Sequence, residues 1–500
     1  MRKIMQVPTR WWTVALLCAL MLSGATLRVY QLSHQSYWMD EGYTVNAVMA
    51  IVDHGSSVLN SGHTYSCPLY CYPTASLAHA LGENAFAYRL LSVIAGTVLI
   101  LVLFFVGRAF FGTTTGLVTA GLVTFSYWQV AWSRQARWYT LFEVFFWLAV
   151  LCFYQTLYTK RYRLLWGAGS VVATLLAVYT HALGYLLPII FIAWLVADWL
   201  GTKMRSWGDL LALLTLPIAT VALLWVLLPG LFFGLLGMIH PHYVLPYYSS
   251  FYIRTYWPFL LLAIVATLRT ANTKGVYLLL CIIFAYLLPL AFLTNVVEYR
   301  YLFQVTPALY LLAAVGALEV VALLRHRYEK VLLVVALLGL FFGLGFSVLV
   351  PRNFYLLEAD DPATMPGRPY YAYTPQPNWS GAYAYIKTHQ QDGDITISTQ
   401  PQFNNIFLGQ PGYWLAYDYL GFDTKRQEVA GEREFYVGAD TLRDLADLQA
   451  ITATHHGYLV LDTMAESGRL PDDTLAYIHS LPLAYDDQVN DYSHIWVYRF

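Results

Sequence analysis

Runs of about twenty mostly apolar residues, each long enough to cross a bilayer as a helix, recur through the first 350 positions of this 500-residue chain. That recurrence constrains the fold more than any other feature of the sequence. Inside lipid every backbone N–H and C=O must be bonded within its own segment, so such runs become helices or are not in the membrane at all. The runs fall at 11–30, 88–107, 113–131, 138–158, 164–181, 183–200, 208–230, 256–270, 275–294, 302–323 and 331–350, the shortest being 256–270. The expected fold is therefore a polytopic α-helical membrane protein of about eleven transmembrane helices. Charged residues make up 12% of the chain, about half of what soluble proteins carry, while 40 Tyr and 16 Trp suit rings at the lipid–water boundary.

Charge divides the chain in two. Residues 1–350 carry a net +10 and 351–500 a net −11, within a total of −1. The expected domains are a transmembrane part at 1–350, with a long first outer loop at 31–87, and a separate extracytoplasmic soluble part at 351–500. In the tail, Ser380–His389 and Thr441–Thr452 read as helices. Asp394–Ser398, Tyr458–Asp462 and Ile495–Tyr498 read as strands, which together predict a C-terminal α/β domain. There is no nucleotide-binding glycine motif, and nothing points to a nucleic-acid partner.

Basic residues set the orientation. Arg2, Lys3 and Arg10; Arg108; Lys160, Arg161 and Arg163; Lys203 and Arg205; Arg269 and Lys274; and Arg325, Arg327 and Lys330 occupy alternate loops. The positive-inside rule makes those loops cytoplasmic. A cytoplasmic N-terminus and an extracytoplasmic C-terminal domain follow, for a multi-pass protein of the plasma membrane. The start, Met1-Arg2-Lys3 before an apolar run, is read as an uncleaved first span. Cys67 and Cys71 share the first outer loop and either pair or stay as two thiols.

Six arginines break the pattern by lying near outer span ends: Arg28, Arg89, Arg134, Arg137, Arg254 and Arg300. Arg28 and Arg254 are read as snorkelling to lipid phosphates. Arg134 and Arg137 are three residues apart and would share one face of a helix. Two guanidiniums side by side match the oxygens of a phosphate. Arg89 and Arg300 are candidates for the same anion site, although Arg300 has Glu298 as a simpler partner.

The first outer loop opens with Tyr37-Trp38-Met39-Asp40-Glu41-Gly42-Tyr43. A carboxylate at the membrane surface can take the proton of a hydroxyl as its oxygen attacks carbon. Successive helical residues point about 100° apart, so Asp40 is read as the base and Glu41 as its support. The competing reading is a solvated, turn-stabilising acidic pair. A base paired with cations suits inverting displacement of a phosphate at an anomeric carbon, because a phosphate leaves without being protonated. His63, His240 and His242 could bind metal but match no metal-ligand spacing, so a divalent metal stays open without being indicated, and the lone His181 is read as an interfacial hydrogen-bonder.

In order along the chain, Trp38-Met39-Asp40-Glu41-Gly42-Tyr43, Phe86-Ala87-Tyr88-Arg89-Leu90-Leu91-Ser92, Ser133-Arg134-Gln135-Ala136-Arg137-Trp138-Tyr139, Tyr179-Thr180-His181 and Tyr299-Arg300-Tyr301-Leu302 resemble the GT-C superfamily of membrane glycosyltransferases. The nearest groups are the protein mannosyltransferases and the lipid A aminoarabinose transferases. The resemblance covers roughly residues 10–350. It implies an inverting transfer from a polyprenyl-phosphate sugar donor to a protein, glycolipid or polysaccharide acceptor. It further implies Asp40 as catalytic carboxylate, Arg134, Arg137 or both at the donor phosphate, and Tyr43, His63, Tyr139, His181 and Tyr301 about the substrate groove. Relatives carry a His-Pro-Pro-Leu type segment where this chain has Ser66-Cys67-Pro68-Leu69, so that histidine's part is absent or falls to His63. The absence of a Trp-Trp-Asp signature disfavours the oligosaccharyltransferase branch. The alternative function is a multispan transporter or flippase of a lipid-linked or anionic solute. Such a protein would show interrupted spans and polar groups at mid-membrane, whereas Glu143 is the main buried acid here.

Overall fold

The structure is a computed structural model that describes residues 10–202, 207–227, 230, 239, 243–270, 273–293, 299–344, 346–349, 376–416, 429–430, 433–466, 469–490 and 493–500. His240, His242 and Glu298 lie outside the described residues. The chain forms two compact units, each built from separated stretches. One comprises Met1–Arg28, Val93–Ser133 and Trp138–Pro351, and the other Val29–Ser92, Arg134–Arg137 and Arg352–Phe500. Residues 31–87 thus cluster with the tail.

The helices of the N-terminal two thirds are α1 (Arg10–Val29), α2 (Met39–His54), α3 (Pro68–Leu81), α4 (Ala85–Phe111), α5 (Thr113–Phe125), α6 (Tyr127–Trp132), α7 (Tyr139–Tyr158), α8 (Arg163–Thr180), α9 (Leu186–Thr202), α10 (Trp207–Leu227), α11 (Leu245–Thr255), α12 (Trp257–Arg269), α13 (Thr273–Leu293), α14 (Thr306–Leu323) and α15 (Arg327–Gly343). Among the described residues, seven helices are long and apolar enough to cross a membrane. The number is eight if α11 and α12, bent by 93° at their junction, count as one span. Of the eleven expected runs, those at 208–230 and 331–350 lie partly outside the described residues, and two others are interrupted. The run at 113–131 is interrupted at Ser126, whose extended backbone ends α5 and whose hydroxyl accepts the Gln129 N–H to start α6. Pro258, one residue into α12, lacks the N–H needed to continue a helix through the bend. Helix α15 is 17 residues long and opens on Arg327, Glu329 and Lys330.

Arg28 does not snorkel. It is fully buried, donating to the carbonyls of Gly24 (3.0 Å) and Val123 (3.3 Å). Glu143, also buried, accepts from the Gln129 amide at 3.0 Å.

In the second unit the tail contributes α16 (Trp379–His389), α17 (Pro401–Leu408), α18 (Leu445–Thr454), α19 (Thr463–Glu466) and α20 (Asp472–Ser480). Its strands are β1 (Ile395–Ser398), β2 (Tyr413–Leu415), β3 (Val429–Ala430), β4 (Arg433–Glu434), β5 (Asp440–Leu442), β6 (Gly457–Asp462), β7 (Leu483–Asn490) and β8 (Ser493–Arg499). Among the described residues they form one sheet in the order β3-β4-β5-β2-β1-β6-β8-β7. The middle strands β5, β2, β1 and β6 are parallel and the flanks antiparallel. All six residues of β6 are buried, as central parallel strands require. Ile397, Leu459 and Leu461 form the core with Leu415, Leu448 and Ile478 from neighbouring elements. The helix expected at Thr441–Thr452 begins later, because 440–442 are drawn into the sheet and the Asp444 side chain caps α18 by accepting the Asp447 N–H.

Candidate functional site

Helix α2 carries the adjacent acids Asp40 and Glu41, and the fold gives them different partners. Glu41, buried, accepts the Trp38 N–H (3.0 Å) with one oxygen, which closes the first turn of the helix. The same carboxylate is gripped by Arg89 through Nε and Nη2, both at 2.9 Å. Arg89 donates its remaining N–H groups to the carbonyls of Leu32 and Gln35 (2.8 Å each) and Ser36 (3.1 Å). All five guanidinium donors are thereby engaged. Glu41 also accepts the Ala136 N–H at 2.6 Å, tying the 134–137 segment to α2. Arg89 and Glu41 therefore hold the architecture, and the expectation of Arg89 on a donor phosphate gives way to that.

Asp40 sits one residue earlier and is half-buried. Its carboxylate receives Arg137 Nη2 at 3.3 Å, and its carbonyl receives Nη1 at 3.0 Å. Arg137 Nη1 also donates to Thr44 Oγ1 (2.9 Å) and to the Tyr65 hydroxyl (2.8 Å). The guanidinium lies 5.9 Å from the centre of the Trp38 ring. Behind it, Ser92 Oγ donates to the Arg137 carbonyl (2.9 Å), and the Tyr70 hydroxyl bonds Ser92. Burial pushes the Tyr65 and Tyr70 phenols up from their ordinary value, so both remain neutral hydrogen-bonding groups at neutral pH.

The prediction that Arg134 and Arg137 share a helix face fails. Helix α6 stops at Trp132 and α7 starts at Tyr139, with turns between them. The Ser133 hydroxyl bonds back to the carbonyls of Gln129 (2.7 Å) and Val130 (2.8 Å) at that stop. Arg134 instead donates to the carbonyls of Tyr30 (2.6 Å) and Gln31 (3.2 Å), fixing the chain as it leaves α1.

The tail closes on α2 along two seams. At the first, Gln402 and Phe403 at the start of α17 press on Gly42, where a methyl group would lie 2.6 Å from Gln402 Cγ. Asn46 of α2 donates to the Gln402 carbonyl (3.0 Å) and accepts from the Asn405 amide. The second seam joins the loop after α2 to the turn between β4 and β5. Tyr43 lies 4.4 Å from Tyr436 between ring centres, and His63 lies 4.1 Å from Phe435. Burial lowers the His63 pKa from its ordinary value, favouring the neutral imidazole. Cys67 and Cys71 form a disulfide at the start of α3. Among the described residues no group of three or more His, Cys, Asp or Glu side chains could hold a metal ion.

The remaining groove candidates gather in the other unit. His181 Nδ1 accepts the Leu183 N–H (3.1 Å), and its ring stacks on Phe142 at 5.2 Å. Tyr139 and Tyr301 lie 5.7 and 6.0 Å from that ring, and the Arg300 guanidinium lies 5.6 Å from the Tyr301 ring. Sequence reasoning missed Thr44, Tyr65, Tyr436 and Gln402. Thr44, four residues after Asp40, was findable by helical spacing; the tail residues left no local signal.

Comparison with known proteins fits this architecture. Residues 66–225 match the family described as dolichyl-phosphate-mannose-protein mannosyltransferase. The apo crystal structure of ArnT from Cupriavidus metallidurans superposes with a TM-score of 0.60 at 16% identity, covering 98% of each chain. The chain has the GT-C fold. The same ArnT bound to undecaprenyl phosphate gives a TM-score of 0.60 at 14% identity, again over 98% of both chains. An Archaeoglobus fulgidus oligosaccharyltransferase shares the GT-C fold with a TM-score of 0.60 at 12% identity, over 92% of this chain and 70% of that one. No curated protein sequence matches the chain. With its membrane-spanning helices and this GT-C fold, the chain is a multi-pass membrane protein.

Proposed function

We propose that the chain is an inverting glycosyltransferase that moves a sugar from a polyprenyl-phosphate donor to a hydroxyl acceptor at the extracytoplasmic face of the plasma membrane. One observation carries the reading: a half-buried carboxylate, Asp40, oriented by the Arg137 guanidinium at 3.3 Å, within a fold whose solved members include one bound to undecaprenyl phosphate.

In this mechanism Asp40 accepts the proton of the acceptor hydroxyl as the oxygen bonds to the anomeric carbon. The bond from that carbon to the phosphate oxygen breaks, and polyprenyl phosphate leaves with the electron pair. Arg137 keeps Asp40 in place and supplies positive charge against the departing phosphate. Arg134 shapes the same segment through its backbone bonds, and Arg89 with Glu41 supports from beneath. Thr44 and Tyr65 hold the Arg137 fork in register with Asp40. Tyr139, His181 and Tyr301, with Arg300, form a separate aromatic cluster on the spans.

The test uses membranes containing the chain and a panel of undecaprenyl-phosphate monosaccharides labelled in the sugar. Label should pass to a membrane or envelope acceptor with release of undecaprenyl phosphate, and the Asp40→Asn variant should release it at about a hundredth of the native rate or less. Failure with every donor, or full activity of that variant, would overturn the reading.

A further inference from the structure

The two seams between α2 and the tail differ in a way that packing alone does not explain. At the Gly42 seam the tail side chains Gln402, Phe403 and Asn404 are fully buried, as a docking contact should be. At the other seam Tyr43, His63, Tyr65, Phe435 and Tyr436 are all only half-buried. Five adjoining rings left partly open to solvent form a surface of large aromatic area with hydroxyl and imidazole edges.

The position of Tyr436 does not depend on its ring. Its carbonyl accepts the Ser61 hydroxyl at 2.7 Å. Its N–H and that of Val437 donate to the buried Glu434 carboxylate at 2.9 and 2.6 Å. Gly438, at φ +76°, turns the chain and lies so close to Ser61 that a methyl group would sit 3.0 Å from the Ser61 nitrogen. The backbone is thus tied on both sides, and the phenol is held against the Tyr43 ring (4.4 Å) and edge-on to His63 (5.6 Å) and Tyr65 (6.2 Å).

This surface borders the candidate base. Tyr43 follows Asp40 by three residues and shares its helix face, while the Tyr65 hydroxyl bonds the Arg137 that holds Asp40. Aromatic faces receive the C–H faces of sugar rings, and their polar edges bond the hydroxyls.

We propose that Tyr436, with Tyr43, Tyr65 and His63, is a platform on which the ring of a carbohydrate acceptor lies, presenting its hydroxyl to Asp40. This rests on the transfer reading above and narrows it: the acceptor is a glycan, and the tail selects it through Tyr436.

The experiment is saturation-transfer NMR on the purified full-length chain in nanodiscs, without donor. The probes are three neutral oligosaccharides, chitotriose, mannotriose and lactose, and one threonine-containing hexapeptide. At least one oligosaccharide should receive saturation at its ring C–H protons, and the peptide none. Tyr436→Leu, which keeps apolar bulk, should cut that signal at least fivefold, whereas Tyr436→Trp should retain it. Tyr43→Leu, outside the tail, should cause the same loss and covers the case in which the first variant fails to fold. No oligosaccharide signal in the native chain, a preference for the peptide, or an undiminished signal in both leucine variants would overturn the proposal. Because the readout is binding, absent sugar transfer with binding intact would sink the enzymatic reading and leave the platform standing.

Discussion

Two adjacent acids on one helix turn meet two arginines, and the pairs differ in exposure. The Arg89–Glu41 side chains are each 1% exposed, while Arg137 and Asp40 are 6% and 17% exposed. A sealed, fully bonded ion pair cannot reach a substrate; breaking it leaves an uncompensated buried charge. The Arg137–Asp40 pair keeps an edge open to solvent. One dipeptide thus divides into a sealed half and a half-open one, and the division follows from what surrounds each carboxylate.

Substitutions can break that contrast. The largest effect should come from Asp40→Asn: sugar transfer falls by roughly 10²–10⁴-fold, the usual worth of a general base, with thermal stability unchanged. Turnover assays and a melting curve on the same preparation check both halves. Arg89→Ala or Glu41→Gln should do the reverse, lowering stability by roughly 3–5 kcal/mol and the yield of folded protein, as seen in denaturation curves. If either variant stayed stable and merely lost turnover, the assignment of the two pairs would have to be exchanged. Gly42→Ala forces a methyl onto Gln402 and should cost about 1–3 kcal/mol by overpacking; adding Gln402→Ala should recover most of it. Arg137→Lys keeps the charge and loses the fork, so the donor KM should rise about tenfold, measured by donor titration.

The smallest effect sharpens the contrast from the tail side. Burial raises Glu434 from 4.5 to about 7, outweighing the backbone N–H groups it accepts. The folded state therefore holds this proton more tightly than the unfolded chain, and the group's contribution to stability falls as pH rises from about 4.5 to about 7. Glu434→Gln should flatten that slope, read as hydrogen exchange of the 436–438 amides corrected for intrinsic rate.

How much of this could be read in advance depends on sequence distance. The spans at 85–111, 139–158 and 274–293, and the tail strands about Ile397 and Leu459, follow from apolar runs that any local window detects. The meeting of Asp40 with Arg137 was legible only as two unusual charges wanting one purpose. The capture of Glu41 by Arg89 was not, because adjacency in sequence says nothing about which acid turns inward. The 133–138 turn was misread as helix because Ser133 ends α6 through its side chain, which leaves hydropathy unchanged. The tail's grip on α2 had no local trace, its partners being hundreds of residues apart.

That separation has a consequence for how the protein is made. Asn46 meets Gln402 across 356 residues, and at about 5–20 residues per second a ribosome needs roughly 20–70 s to pass from one to the other. Throughout that interval the helix bearing Asp40 lacks the neighbour that braces Gly42. A nascent chain cut short before position 401 would carry Asp40 and Arg137 and still be without that brace. Synthesis of the stretch around Gln402, rather than insertion of the last span, is the event that braces this helix.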